Sequence, residues 1–186
     1  MEFGVSHGGS LQMWKHYFGA GARIVGVDID ARCRELGEDS IDIVIGDQCD
    51  RALHAELRTR YPHVDIVIDD GGHRMAQQIT TFEEIYPHVQ PHGVYLCEDL
   101  HTSYLPPFDG GLGRPGTFVE RMKTQIDSLH GFWSELPVAD KALRIDDFTR
   151  SASSLHFYDS VVVIEKRPMS PPRRSMTGTP SFGPPP

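Results

Sequence analysis

The segment Val64-Asp-Ile-Val-Ile-Asp-Asp-Gly-Gly-His73 decides the fold of this chain. It begins with a short run rich in β-branched residues, which is typical of a strand buried on both faces of a parallel sheet. Acids and glycines follow at once, so the strand is expected to end there in a turn. Because ligands bind beyond the carboxyl ends of the strands in open α/β sheets, this turn is predicted to border a binding site.

Similar runs on both sides of this segment predict a sheet. The other parallel-strand candidates are residues 2–5, 23–28, 41–45 and 93–97. The helix candidates, in which apolar residues recur at helical spacing or a polar cap opens the segment, are residues 10–18, 73–86 and 117–130. Ser10 is expected to cap the first helix. Alternation of strands with helices is the pattern of βαβ units on a parallel sheet.

The end of the domain breaks this alternation. Residues 154–158 and 160–166 are two strand-like runs around Asp159. No helix fits between them, so they predict an antiparallel hairpin. The predicted fold class is α/β, a Rossmann-like, seven-stranded and mostly parallel sheet with a C-terminal antiparallel hairpin.

The composition argues against several classes of protein. The 186 residues carry 18 Lys and Arg against 26 Asp and Glu, and the formal net charge of −8 argues against nucleic-acid binding. The longest apolar run, residues 161–164, is too short to cross a membrane, and no secretory signal is apparent. Cys33, Cys49 and Cys97 match no zinc or disulfide framework, which indicates reduced thiols and a cytoplasmic protein.

Proline marks two segments of the chain. Seven of the 14 prolines fall in residues 168–186, which predicts a disordered tail after a single domain of residues 1–167. Residues 101–115, after the fifth strand candidate, are also rich in Pro and Gly. We expect no regular element there and predict that this loop covers a substrate; a plain surface connection is the alternative.

Two carboxylate pairs are predicted to meet at one edge of the sheet. Asp69 and Asp70 end one strand, and Glu98 and Asp99 follow the next. Four carboxylates at one edge repel one another unless a cation lies among them. Oxygen ligands without thiolates favour Mg²⁺, Mn²⁺ or Ca²⁺. The alternative is that these acids cap helices and face water.

The second candidate site is the turn in Glu2-Phe-Gly-Val-Ser-His-Gly-Gly-Ser10. Its glycines allow a ligand to approach the backbone, and its free amides can bind polar groups. The spacing is not that of nicotinamide or nucleoside triphosphate motifs. Asp28, at the end of the next strand, is placed to accept hydrogen bonds from ribose hydroxyls, with Asp30 as the fallback.

The Glu-x-Gly-x-x-x-Gly spacing resembles motif I of class I S-adenosylmethionine-dependent methyltransferases. A closer resemblance comes from Asp-Asp-Gly-Gly-His at 69–73, Glu-Asp-Leu at 98–100, Gly-Gly-Ser-Leu-x-Met-Trp at 8–14 and Gly-Val-Asp-Ile-Asp at 26–30. Together these segments resemble the metal-dependent sugar O-methyltransferases, which include macrolide- and rhamnose-modifying enzymes and those of mycobacterial methylated polysaccharides. The resemblance covers residues 1–167.

This resemblance implies a role for each site residue. The metal ligands would be Asp70, Glu98 and Asp99. The catalytic residues would be Asp70 and His73, with His73 as the general base. The residues that contact the cofactor would be Glu2, Gly4, Ser6, Ser10, Asp28 and Asp47.

The implied function is Mg²⁺- or Mn²⁺-dependent transfer of a methyl group from S-adenosylmethionine to a sugar hydroxyl. The acceptor would be an oligosaccharide or polysaccharide precursor or a glycosylated natural product. The alternatives are a metal-dependent hydrolase and a non-catalytic binding protein with the same fold. Activity that requires metal and is lost in Asp70→Ala would separate an enzyme from a binding protein.

Two further expectations concern the rest of the chain. It starts inside the first strand, whereas the family usually carries helices before it, so we expect a late-assigned or truncated start and a homo-oligomer that covers the gap. His101 lies near the metal acids in sequence and is a candidate neighbour of the metal. The histidines expected to be solvated are His54, His63, His88 and His92.

Overall fold

The computed structural model describes residues 1–133, 143–173, 175, 177–179 and 181–183. Its strands form one seven-stranded sheet of order β3-β2-β1-β4-β5-β7-β6. In chain order the strands are β1 (Glu2–Phe3), β2 (Ile24–Asp28), β3 (Ile41–Ile45), β4 (Val64–Asp69), β5 (Val89–Cys97), β6 (Ala152–Tyr158) and β7 (Val161–Lys166).

The pairing of these strands confirms the predicted fold class. β3, β2, β1, β4 and β5 pair in parallel, whereas β7 is antiparallel to both β5 and β6. The strand order reverses at the central pair β1 and β4. In open α/β sheets a crevice forms outside the carboxyl ends of the strands at this reversal, so the topology itself marks the place for a ligand.

Helices cover both faces of the sheet. They are α1 (Gly9–Phe18), α2 (Arg51–Arg60), α3 (Met75–Ile85), α4 (Phe118–Leu129) and α5 (Asp147–Ser151). The buried apolar residues form two clusters, and the neighbours Ile24 and Val25 of β2 belong to different ones. Successive side chains of a strand point to opposite faces, so the two clusters fill the two sides of the sheet. Among the described helices, none has the length and apolarity needed to cross a membrane.

The first turn of the fold differs from its prediction in two ways. β1 ends at Phe3 rather than at residue 5, because Gly4 has a φ of 91° and the chain leaves the extended conformation there. α1 begins at Gly9 after Gly8, and Ser10 is not its cap. The Ser10 hydroxyl instead donates a hydrogen bond to the buried carboxylate of Glu2, an acceptor that becomes available only when the chain folds back.

Two elements are longer or more regular than the sequence pattern predicts. β5 begins at Val89, four residues before the predicted start, because Val89 pairs with Val64 although Pro91 and Gly93 interrupt the pattern. The Pro- and Gly-rich loop contains two 3-10 helices, Leu100–Tyr104 and Pro106–Phe108, which corrects the expectation that it holds no regular element.

The sequence pattern does not predict the helix α2, and the burial of His54 within it corrects another expectation. Three side chains of this polar helix are buried: Leu53, His54 and Leu57. His54 is 0% exposed rather than solvated, and its Nε2 hydrogen-bonds the carbonyl of Gln48 at 2.8 Å. Burial lowers the pKa of His54, and the hydrogen bond to Gln48 opposes this shift only in part.

The C-terminal hairpin is held to the middle of the chain by Lys166. This side chain is 6% exposed. Its ammonium donates hydrogen bonds to the carbonyl oxygens of Tyr86, Pro87 and Val89 at 2.9, 3.2 and 2.6 Å. A cation enclosed by carbonyl oxygens keeps these backbone groups paired after burial, so Lys166 joins β7 to the start of β5.

Lys166→Met should lower the free energy of unfolding by about 1–3 kcal/mol, because the Met stem fills the space but leaves the buried carbonyls without a donor. Urea unfolding measures the change. Lys123→Met is the control, because Lys123 is an exposed residue paired with Glu120 at 2.6 Å, and a change of about 0.5 kcal/mol or less is expected there. Equal losses in the two variants would contradict the role given to Lys166.

Acid should destabilise the fold through His54. Since the pKa of His54 is lowered in the folded protein, the unfolded chain binds this proton first as the pH falls below about 6.5. The free energy of unfolding therefore decreases with the pH in that window. His54→Asn should lose less stability between about pH 7.5 and about pH 5.5 in urea unfolding than the wild type does.

The control is His156→Asn, at an exposed histidine of β6, which should keep the wild-type pH dependence. A His54→Asn variant with the wild-type slope would show that the buried ring is not the source of the acid sensitivity.

Candidate functional site

A cavity of about 440 Å³ opens at the carboxyl ends of β1, β2, β3 and β4. Seven of the residues predicted from the sequence for the site line it: Gly4, Ser6, Ser10, Asp28, Asp47, Asp70 and His73. These residues lie at the end of a parallel strand or in the turn or first helical residues that follow one, and four strands contribute. The sheet therefore collects at one edge what the sequence spreads over about 70 residues.

The glycine turn and the Asp70 turn touch each other at the centre of this edge. Gly4 has a φ of 91°, and a Cβ added there would lie 2.0 Å from the carbonyl oxygen of Asp70. The Gly4 amide donates a hydrogen bond to the carbonyl oxygen of Val27 at 2.8 Å. The Asp70 amide donates one to the carbonyl oxygen of Phe3 at 3.0 Å. Only glycine meets both the steric and the conformational requirement at residue 4.

Asp28 holds the glycine turn against β2. Its Oδ2 accepts the amides of Val5 and Ser6 at 2.8 and 3.0 Å, and its Oδ1 accepts the amide of Asp30 at 2.8 Å. Partial burial raises the pKa of Asp28, but the hydrogen bonds from Asp30, Ser6 and Val5 outweigh it and leave the pKa below its ordinary value. These hydrogen bonds orient the ionised carboxylate at the end of β2, where it lines the cavity and can accept a ligand hydroxyl.

Asp30, the alternative to Asp28 as the acceptor for ribose hydroxyls, has other partners. It caps the 3-10 helix Ala31–Leu36 by accepting the amide of Arg32 and also pairs with the Arg32 side chain. Asp47 follows the neighbouring strand β3, where it is exposed and accepts a hydrogen bond from the amide of Cys49 at 2.8 Å. The third strand end thus offers one carboxylate to the cavity, as the sequence predicts.

Glu2 is separated from the cavity that it was predicted to border. It is 2% exposed and accepts hydrogen bonds from the Ser10 hydroxyl and, at 2.6 Å, from the Trp14 indole. Burial raises the pKa of Glu2, although these two hydrogen bonds act against the shift. Glu2 lines a second cavity with Met1 and Trp14, so its contact with α1 is the interaction that the geometry supports.

Acidic groups and a histidine gather where β4 and β5 end. Asp70, His73 and Asp99 each place a possible ligand atom within 4.8 Å of the others. The Nε2 atom of His73 lies 3.4 Å from Asp99 Oδ2 and 3.9 Å from Asp70 Oδ1. Glu98 lies outside this closest group, but burial and then the charges of Asp70 and Asp99 raise its pKa, so it belongs to the same cluster.

The cluster fits a divalent cation. Burial raises the pKa of Asp70, with Asp99 adding to the shift and His73 opposing it. Negative groups that repel one another at a half-buried position lose that repulsion when a cation binds among them. Carboxylate oxygens are the donors that suit Mg²⁺ or Mn²⁺, and the imidazole of His73 lies beside them.

Backbone strain is concentrated in this cluster. His73 has a φ of 57° and Asp99 a φ of 54°, both in the left-handed region that residues with a side chain rarely adopt. Each such residue costs on the order of 1–3 kcal/mol and persists only where the surrounding structure enforces it. The Nδ1 atom of His73 is buried without a hydrogen-bond partner among the described residues. Strain and an unpaired buried atom are typical of residues kept for a ligand rather than for stability.

Sequence reasoning missed Gln48 and placed His101 only loosely. Gln48 lines the cavity, and its side chain forms hydrogen bonds with Asp69 at the end of β4 and with Gly72 in the turn that follows. Its only sequence signal is its position directly after Asp47. The His101 Nδ1 atom lies 3.7 Å from Asp99 Oδ1 and 2.7 Å from the hydroxyl of Ser160, so His101 is a neighbour of the acid cluster, as expected.

Comparison with known proteins supports the resemblance to sugar O-methyltransferases. The chain is 42% identical over 163 residues to demethylmacrocin O-methyltransferase of Streptomyces fradiae, a match that covers 86% of this chain and 40% of that protein. It is 40% identical over 162 residues to an 8-demethyl-8-alpha-L-rhamnosyl tetracenomycin-C 2'-O-methyltransferase of Streptomyces olivaceus, covering 86% of this chain and 41% of that protein. The chain thus spans about two fifths of the length of these relatives. No family model matches the chain.

Solved structures give the same result for the fold. MycE, a methyltransferase from the mycinamycin biosynthetic pathway solved in complex with Mg and SAH, superimposes with a TM-score of 0.78 at 36% identity. That match covers 90% of this chain and 44% of MycE. The SAH-bound Podospora anserina methyltransferase PaMTH1 shares the fold at 14% identity, with a TM-score of 0.55 over 89% of this chain and 70% of PaMTH1.

Gly4→Ala should damage both the stability and the site. The added Cβ would meet the Asp70 carbonyl at 2.0 Å in a backbone conformation that alanine disfavours, so the free energy of unfolding should fall by about 2 kcal/mol or more. Gly21→Ala is the control, since a Cβ there has no atom within 4 Å, and its change should be about 0.5 kcal/mol or less. Urea unfolding measures both, and equal values would contradict the close contact between the two turns.

Proposed function

Since the described chain has the fold of class I S-adenosylmethionine-dependent methyltransferases and its relatives are sugar O-methyltransferases, we propose that it methylates a sugar hydroxyl of a glycosylated natural product. S-adenosylmethionine is the methyl donor and Mg²⁺ the metal, with Mn²⁺ as a substitute. The observation that carries this proposal is the geometry of one edge of the sheet, where the cavity and the acid cluster share Asp70 and His73.

The cavity is assigned to the donor. Asp28, which the backbone of the glycine turn holds in place, is assigned as the acceptor for a ribose hydroxyl. Asp47, after the neighbouring strand β3, is assigned to the adenine amino group. Gly4, Ser6 and Ser10 provide the close backbone and hydroxyl groups of the turn after β1, on the other side of β2.

The metal is assigned to Asp70, Glu98 and Asp99. When bound there, Mg²⁺ would make a sugar hydroxyl more acidic by stabilising its deprotonated form. His73 directs Nε2 toward the acid cluster, and this nitrogen is assigned as the acceptor of the hydroxyl proton.

The loop after β5 is assigned to the acceptor. Arg74, the residue after His73, pairs with Asp109 of this loop at 3.1 Å, so the loop is tied to the start of α3 next to the site. Tyr104 is 44% exposed, and aromatic faces are common contacts for sugar rings. A loop in this position also excludes water from the reaction, and methyl transfer depends mainly on alignment of donor and acceptor.

Four finer assignments belong to this proposal. Residues 1–167 carry the activity, and the tail predicted for residues 168–186 lies partly outside the described residues. A polysaccharide precursor is the second acceptor class. The free thiols of Cys33, Cys49 and Cys97 support a cytoplasmic location. The protein works as a homo-oligomer, which analytical ultracentrifugation of the active protein tests directly.

Asp70→Ala should bind a divalent metal at least about 10-fold more weakly and transfer the methyl group at least about 100-fold more slowly. Its affinity for S-adenosylhomocysteine should change less. His73→Ala should lower the rate by about 10²–10⁴-fold with S-adenosylhomocysteine binding retained. Calorimetry with Mg²⁺ and S-adenosylhomocysteine, and methyl transfer to mycinamicin VI as a trial acceptor, measure these effects.

The control is Asp127→Ala, at an exposed acid of α4, which should behave as the wild type. A wild type that binds metal but not the adenosyl ligand would favour the metal-dependent hydrolase. A wild type that binds both but transfers no methyl group to any of a panel of glycosides would favour the non-catalytic binding protein.

A further inference from the structure

We propose that Gln48 is a positioning residue that holds the turn of residues 69–73 in its metal-binding conformation and so sets the affinity for the divalent cation. Gln48 follows β3, on the donor side of the cavity, whereas the turn follows β4 and carries Asp70 and His73. The inference rests on the proposed function and adds to it a residue that contacts neither the metal ligands' carboxylates nor the transferred group.

The side chain of Gln48 forms hydrogen bonds with the turn on both sides of Asp70. Its Nε2 donates a hydrogen bond to Asp69 Oδ1 at 2.5 Å, and its Oε1 accepts the amide of Gly72 at 3.1 Å. Asp70 and Gly71 lie between these two points. A displacement of Asp70 along the turn therefore lengthens at least one of the two hydrogen bonds.

The orientation of the carboxamide is fixed by its partners. Besides Asp69, the Nε2 atom donates to the hydroxyl of Thr81 at 2.9 Å. The opposite orientation would direct the oxygen at the Asp69 carboxylate and the amino group at the Gly72 amide, which gives two repulsive contacts. Gln48 is 7% exposed, so water does not replace these partners readily.

Close packing restricts the movement of this turn relative to Gln48. A Cβ added at Gly71 would lie 2.2 Å from Gln48 Oε1, and a Cβ added at Gly4 would lie 2.0 Å from the carbonyl oxygen of Asp70. The turn is thus clamped between the glycine turn after β1 and the carboxamide after β3. Neither side leaves space for a compensating shift.

The turn needs such a clamp because it is strained. His73 at its end has a φ of 57°, a conformation that is costly unless the surroundings enforce it. Asp99 reaches the cluster from a different loop, after β5. The spacing between Asp70 and Asp99 therefore depends on where the turn is held, and metal affinity depends on that spacing.

Gln48→Leu tests the inference, because leucine keeps most of the volume and removes both hydrogen bonds to the turn. The dissociation constant for Mn²⁺ should rise about 10-fold or more. It is measured by titrating the full chain with Mn²⁺, using calorimetry or the electron paramagnetic resonance signal of free Mn²⁺. The affinity for S-adenosylhomocysteine should change less than the affinity for Mn²⁺. A role confined to stability would move the melting temperature and leave the Mn²⁺ affinity of the folded protein unchanged.

Two matched variants separate positioning from a general loss of buried polar groups. Gln125→Leu replaces a glutamine of α4 that is 6% exposed and lies outside the cavity, and its Mn²⁺ affinity should stay within about twofold of the wild type. Thr81→Val removes one partner of the carboxamide but keeps both contacts to the turn, and its loss should be smaller than that of Gln48→Leu. If Gln48→Leu does not fold, Gln48→Asn, one methylene shorter and unable to span both contacts, is expected to weaken Mn²⁺ binding in the same sense.

A folded Gln48 variant with wild-type Mn²⁺ affinity would overturn the inference, and so would an equal loss in Gln125→Leu. A wild type that binds no divalent cation at all would instead contradict the metal assignment of the proposed function. The two failures are therefore distinguishable from the same titrations.

Discussion

The parallel pairing of β4 with β5 is the constraint on which the site depends. Asp69 lies opposite Cys97 in this register, so the residues that follow, Asp70 on one strand and Glu98 and Asp99 on the next, emerge at the same edge of the sheet. A shift of register by one residue would turn Asp70 away from Asp99 and bury the wrong face of both strands. The register is maintained by the apolar core, since Val67, Tyr95 and Cys97 are all 0% exposed. Packing energy thus fixes the positions of charges that would otherwise separate.

The turns around this strand pair are built so that each supports another. The glycine turn after β1 contacts the Asp70 carbonyl, Asp28 binds the amides of the glycine turn, and Gln48 binds the residues on both sides of Asp70. The cavity and the acid cluster therefore share the contacts between these turns rather than merely lying near each other. The strained conformation of His73 is tolerated because these contacts hold the turn that leads to it.

Buried polar groups explain where local sequence rules fail. Ser10 has the residue type of a helix cap, yet its hydroxyl binds Glu2, which comes from β1. His54 lies on a polar helix and is completely buried, because α2 packs that face against the sheet. The Gln48 carbonyl oxygen accepts a hydrogen bond from its ring. In each case the partner lies outside the helix, eight residues away for Ser10 and six for His54, so a pattern based on helical spacing does not include it.

The sequence by itself determined the class of fold, the C-terminal hairpin and seven of the residues that line the cavity. These follow from short-range information: β-branched runs form strands, glycines form turns, and acids at strand ends of a parallel sheet share one edge. Only the tertiary structure decided which acids meet His73, that Glu2 faces α1 instead of the cavity, and that Gln48 joins the two halves of the site. The physical reason is that distances between side chains are set by strand register and packing across the whole sheet, which no local segment specifies alone.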